Sequence, residues 1–149
     1  MKKIFRFSPP LLYKLCIGIM LLSLILPIQR SITFPHNLGG IILLVIGVHI
    51  ALVAKRLFKK TNTPMSPEAE PIRLHTQGVF KYSRNPMYLG IVIGLIGIAI
   101  GTGYLVNLIF PFIYLMIMNY VFIKHEEENL EREFGNKYKE YRKKTRRWI

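Results

Sequence analysis

The chain has one cysteine, Cys16, and it sits inside an apolar run. No disulfide can close within the chain, which suits a reducing compartment or a lipid bilayer. Acidic residues are scarce, with 8 Asp and Glu against 21 Lys and Arg. Between Met87 and Ile123 there is no charged residue at all. The four histidines, His36, His49, His75 and His125, show neither HxxH nor HExxH spacing, so no metal site is expected. There is no GxSxG or Walker pattern, and no soluble βαβ unit for a Rossmann dinucleotide site. Internal repeats and low-complexity tracts are absent as well.

What is present is apolar and basic at once. Hydrophobic residues make up 51% of the chain, beside a formal charge of +13. Those facts conflict for a soluble protein and agree for a small membrane protein with basic edges. The 149 residues suffice for one domain, 1–149. Four apolar runs, about 11–27, 38–54, 86–100 and 104–123, predict an all-α integral membrane fold, each run being near the ~20 residues that cross a bilayer. Lys14 interrupts the first run near its end, where it can snorkel to the headgroups. The basic start resembles a signal peptide but lacks a small-x-small cleavage site before Pro27, so it reads as a retained signal-anchor. Gly101-Thr102-Gly103 breaks the long uncharged stretch and predicts a hairpin of the third and fourth spans. A loop, 55–85, carries Pro64, Pro67 and Pro71. The tail, 124–149, reads as an amphipathic helix ending near Trp148, a residue favoured at membrane interfaces.

Charge asymmetry sets the orientation. Lys2, Lys3 and Arg6 precede the first span, seven Lys or Arg lie within 55–84, and nine follow the fourth span. The other two turns hold only Arg30. With four spans, every basic segment falls on one side, so both termini, the loop and the tail are expected in the cytoplasm. The basic flanks favour anionic lipid over nucleic acid, for which no fold signature exists.

The stretch 76–90 organises the rest. A glycine loop turns basic and aromatic at Phe80, Lys81, Tyr82 and Arg84, and Pro86 then stands where a helix begins, because its missing N–H would have no partner there. An antiparallel hairpin places Arg84, Asn85 and Tyr88 level with Lys124, His125, Glu126 and Glu127. That gathering suits a zwitterionic, aromatic ligand. An Arg84–Glu126 salt bridge pinning the hairpin is the plainer reading, and from charges alone the stronger one. Gly90, Gly94, Gly97 and Gly101 share a helix face. Close helix packing explains them more simply than a ligand groove.

Two motifs carry a resemblance. Gly78-Val-Phe-Lys-Tyr-Ser-Arg84-Asn85-Pro86-Met-Tyr88-Leu-Gly90, then Glu126-Glu127-x-x-Leu130-x-x-x-Phe134-Gly135-x-x-Tyr138-x-x-Tyr141, resemble the isoprenylcysteine carboxyl methyltransferase family over roughly residues 40–149. Phospholipid N-methyltransferases are its distant relatives. The ending Arg146-Arg147-Trp148-Ile149 resembles that of small bacterial members, which implies a bacterial inner membrane. The resemblance implies methyl transfer from S-adenosylmethionine to a lipophilic or lipidated acceptor within a helical membrane scaffold. It implies cofactor contacts from Leu74 and His75 through backbone, from Phe80 in the place of the usual tyrosine, and from Asn85, Pro86, Met87 and Tyr88. Asn85 replaces the family's histidine and keeps a donor. Glu126 matches the cofactor-binding glutamate, with Glu127 beside it, and Arg84 and Tyr88 are the catalytic candidates. One position departs: Phe122 stands where isoprenylcysteine enzymes carry the arginine that binds the substrate carboxylate. An NADPH-dependent membrane reductase has a similar Arg-His-Pro-Asn-Tyr segment, but Met87 replaces its asparagine. A non-enzymatic membrane protein on the same scaffold is the third reading.

Overall fold

A computed structural model describes residues 8–26, 29–61 and 72–149. Every regular element among them is helical: α1 (Pro9–Leu22), α2 (Gly39–Lys60), α3 (Pro86–Thr102), α4 (Ile109–Ile117), α5 (Ile123–Phe134) and α6 (Asn136–Lys144), with short 3₁₀ turns between. A π-helical turn, Met118–Phe122, joins α4 to α5 without a break. The basic residues Lys2, Lys3 and Arg6, Pro27 at the end of the first run, and the loop prolines Pro64, Pro67 and Pro71 lie outside the described residues.

Two helical stretches, His36–Lys60 and Leu105–Phe134, are long and apolar enough to cross a membrane. Pro9–Ile25 and Pro86–Thr102 are shorter apolar helices. The 17 residues of α3 rise about 25 Å, against a hydrocarbon core of ~30 Å. On α2, Ile41, Ile42, Val45, Ile46, Val48 and Leu52 are exposed, as lipid-facing side chains would be.

Several boundaries differ from the sequence expectation. α2 does not stop at residue 54 but runs on through Lys55, Arg56, Lys59 and Lys60. Charge ends an apolar run without ending a helix, since Lys and Arg are good helix formers. The tail is two helices. Gly135 separates α5 from α6 with φ 49° and ψ −121°, a conformation that L side chains rarely adopt.

The chain divides into two compact units. The first comprises Met1–Gly47 and Ile91–Met116. Here α2 and α3 touch backbone to backbone. A Cβ on Gly97 would lie 2.5 Å from the Leu44 amide nitrogen and 2.6 Å from the Gly40 carbonyl. The packing reading of the glycine stripe therefore holds at Gly97, while Gly94 only meets the Leu44 side chain at 3.7 Å. Gly97→Ala is expected to destabilise by about 1–3 kcal/mol through backbone overlap. Gly94→Ala should be tolerated. Thermal unfolding of the two variants in detergent checks this.

The expected turn after α3 is also found. Gly103 has φ 84°, and its carbonyl accepts from the Ser31 and Ile32 amides at 2.9 Å each. Buried Asn107 donates to Ser23 Oγ and to Thr102 Oγ1, both at 2.9 Å, so its amide group is satisfied within the unit.

Candidate active site

The second unit comprises Val48–Gly90 and Ile117–Ile149, and it holds every catalytic and cofactor-binding candidate named from the sequence. Its centre is the entrance to α3. Pro86 is the first helical residue, as its chemistry predicts, and the Leu89 amide donates to the Asn85 carbonyl at 3.0 Å. The loop before it is pinned by the far end of the chain. Tyr141 Oη donates to the Phe80 carbonyl at 2.7 Å, the Arg84 amide to the Arg146 carbonyl at 3.0 Å, and Asn85 Nδ2 to the Arg147 carbonyl at 3.1 Å. Ser83 Oγ donates to the same Arg147 carbonyl at 3.3 Å.

Two acid contacts follow. Tyr88 Oη donates to Glu126 Oε1 at 2.6 Å, a short bond. Arg84 Nη2 pairs with Glu127 Oε1 at 3.0 Å, and the two side chains are 9% and 8% exposed. Arg84 thus pairs with Glu127, not with Glu126 as the plainer sequence reading had it. Glu127 is also gripped by Arg147, whose Nε reaches Oε1 at 3.1 Å and whose Nη2 reaches Oε2. Both oxygens of Glu127 are engaged by protein, and an Asn85 amide hydrogen is engaged by the Arg147 carbonyl.

Arg84 is left with spare capacity. Its Nε and Nη1 are buried and have no hydrogen-bond partner. The buried Tyr138 hydroxyl is without one too. Guanidinium nitrogens only donate, so what fits them is an acceptor, and the cation favours an anionic one. Burial, and then the charge of Glu127, pushes the Tyr138 phenol up to about 12. The Tyr141 phenol is raised as well, first by burial. Both remain neutral donors at neutral pH.

An aromatic group borders this loop. His75 lies 4.9 Å from the Phe58 ring and 5.6 Å from the Phe80 ring, centroid to centroid. Thr61 Oγ1 lies 3.3 Å from His75 Nε2. The same hydroxyl lies 3.0 Å from the Leu57 carbonyl and 3.2 Å from the Phe58 carbonyl, and its single hydrogen serves one of these acceptors or the His75 ring according to the tautomer of the imidazole. Burial, and next the charge of Arg73, holds the His75 imidazole below its ordinary range. Leu74 and Met87 are half-buried, and Pro86 is buried.

The structure therefore brings Arg84 and Tyr88 onto the two acids, and sets Asn85 against the chain's last residues. Phe58, Ser83, Asn119 and Arg147 were not singled out as site residues from the sequence. Asn119 lies in the π turn, and its Oδ1 accepts from Arg147 Nη1 at 3.0 Å and from Trp148 Nε1 at 3.3 Å. Trp148 thus has a partner inside the protein. The usable signal was the Tyr138-x-x-Tyr141 spacing, which puts both rings on one face of a helix. Phe122 is buried at 2% exposure.

A family profile described as phospholipid methyltransferase matches residues 36–137, which spans both acids and the whole 76–90 stretch. A Haemophilus influenzae chain described as an uncharacterized protein is 32% identical over 63 residues, covering 42% of this chain and all of that one. No solved structure matches.

Proposed function

Because the chain belongs to the phospholipid methyltransferase family, we propose that it moves a methyl group from S-adenosylmethionine to a lipid acceptor at the cytoplasmic boundary of the membrane. The family points to a methyltransferase and to lipid acceptors, and the candidate membrane helices agree with membrane association. The observation that carries the finer reading is the pairing of opposite capacities at one helix entrance. Glu126 offers a carboxylate, steadied by Tyr88, and Arg84 offers buried donors without an acceptor. The amino-acid end of S-adenosylmethionine is a zwitterion that needs both.

In this reading Glu126 takes the cofactor's amino group and Arg84 its carboxylate. Phe80, with His75 and Leu74, borders the apolar part of the cofactor, and Asn85, Pro86 and Met87 shape the entrance. Tyr88 orients Glu126. Glu127 takes only one Arg84 nitrogen, through one oxygen, and leaves the other two to the ligand. When bound, the cofactor supplies an already activated methyl group for an in-line displacement. The protein's task is then alignment and exclusion of water. An amine acceptor also needs a proton removed, and with Glu126 on the cofactor and Glu127 on the arginines, His125 is the candidate base. A prenylcysteine acceptor lacks its arginine, since Phe122 occupies that position. Four spans with both termini cytoplasmic remain the topology that the basic segments favour.

The test uses membranes containing the protein and S-adenosylmethionine labelled in its methyl group. Label is expected in the solvent-extractable lipid. Label confined to protein would refute a lipid acceptor.

A further inference from the structure

The two arginines on Glu127 are not equivalent. Arg147 has every side-chain nitrogen engaged: Nε and Nη2 on Glu127, and Nη1 on Asn119. Arg84 has one nitrogen engaged and two buried without a partner. We infer that Arg147 is a positioning residue that keeps Arg84 available to a ligand oxyanion. This rests on the function proposed above.

The geometry gives the reason. A carboxylate facing a guanidinium tends to form two parallel bonds, one to each oxygen. Glu127 does so with Arg147, and its Oε2 is thereby taken. Arg84 can only share Oε1, through Nη2. Without Arg147, Oε2 is released and can take another Arg84 nitrogen, closing the pair on itself.

Charge points the same way. One carboxylate between two guanidiniums leaves one positive charge over. Arg84 and Glu127 alone are neutral. With both side chains nine-tenths buried, water screens that difference poorly. Asn119 holds Arg147 from its other end. It is placed by the π turn, a local irregularity of the kind often found at functional sites.

The inference predicts a rescue that a merely structural arginine would not show. In Arg147→Ala, Glu127 captures Arg84, and S-adenosylhomocysteine should bind at least about tenfold more weakly, the scale of one charge-assisted hydrogen bond. In the double variant Arg147→Ala/Glu127→Gln, the captor is gone and the surplus positive charge returns. Affinity should recover most of the way, although thermal stability should not. The experiment is titration calorimetry of the purified full chain in detergent with S-adenosylhomocysteine, beside thermal unfolding. Recovery in the double variant supports the positioning role. If the unaltered protein binds and the double variant binds no better than Arg147→Ala, the inference is overturned. If the unaltered, folded protein does not bind, the proposed function itself fails, and the inference with it.

Discussion

Arg84→Lys is expected to fold and insert normally yet lose methyl transfer by about a hundredfold, the cost of a small misplacement in displacement chemistry. The lysine ammonium keeps the charge and can still reach Glu127. It lacks the planar set of donors, and so cannot hold Glu127 and a ligand oxyanion in fixed directions together. If Arg84 only pinned the loop to Glu127, the lysine would serve nearly as well. The comparison needs thermal unfolding and turnover on the same preparation, once label transfer has identified an acceptor. A folded Arg84→Lys protein with ordinary turnover would reduce Arg84 to a scaffold residue.

Glu126→Gln should weaken S-adenosylhomocysteine binding by roughly 1–3 kcal/mol, the range for a hydrogen bond to a charged group. The substitution is mild in shape. Glutamine keeps an acceptor for the Tyr88 hydroxyl, which lies 2.6 Å from Glu126 Oε1, so the local geometry can persist while the charge goes. Lys139→Gln is the control. Its ammonium meets Glu131 at 3.6 Å on an exposed face, where ion pairs contribute little. Equal losses from the two substitutions would mean that Glu126 acts only through general charge balance.

The parts of this protein that were legible in the sequence rest on strong local rules. Proline opens a helix, so α3 begins at Pro86. Gly103 takes a positive φ, so the turn after α3 falls where the glycines are. The antiparallel run of two apolar segments put Arg84 and Tyr88 near the two glutamates, and the contacts are there. Which glutamate meets Arg84 was not legible, for a geometric reason. Adjacent residues on a helix point about 100° apart, and the π turn at Met118–Phe122 adds a residue just upstream, which shifts the phase of everything after it. No residue type in that turn announces it.

The role of Arg147 was hidden differently. Its carbonyl accepts from Ser83 and Asn85, across 64 and 62 residues, and a backbone acceptor leaves no mark in a sequence. The break at Gly135 was visible as a glycine, but a lone glycine inside a helical pattern is often tolerated. Here its dihedral angles end one helix and start another. The same holds for the charged end of α2: the composition changes at residue 54, but the helix continues to Lys60.

The most direct test of the account is titration calorimetry of the purified, folded protein in detergent with S-adenosylhomocysteine and, separately, with NADPH. The account predicts saturable binding of S-adenosylhomocysteine that is weakened by Glu126→Gln and by Arg84→Lys, and no binding of NADPH. Binding of NADPH alone, or of neither molecule by protein shown to be folded, would contradict it.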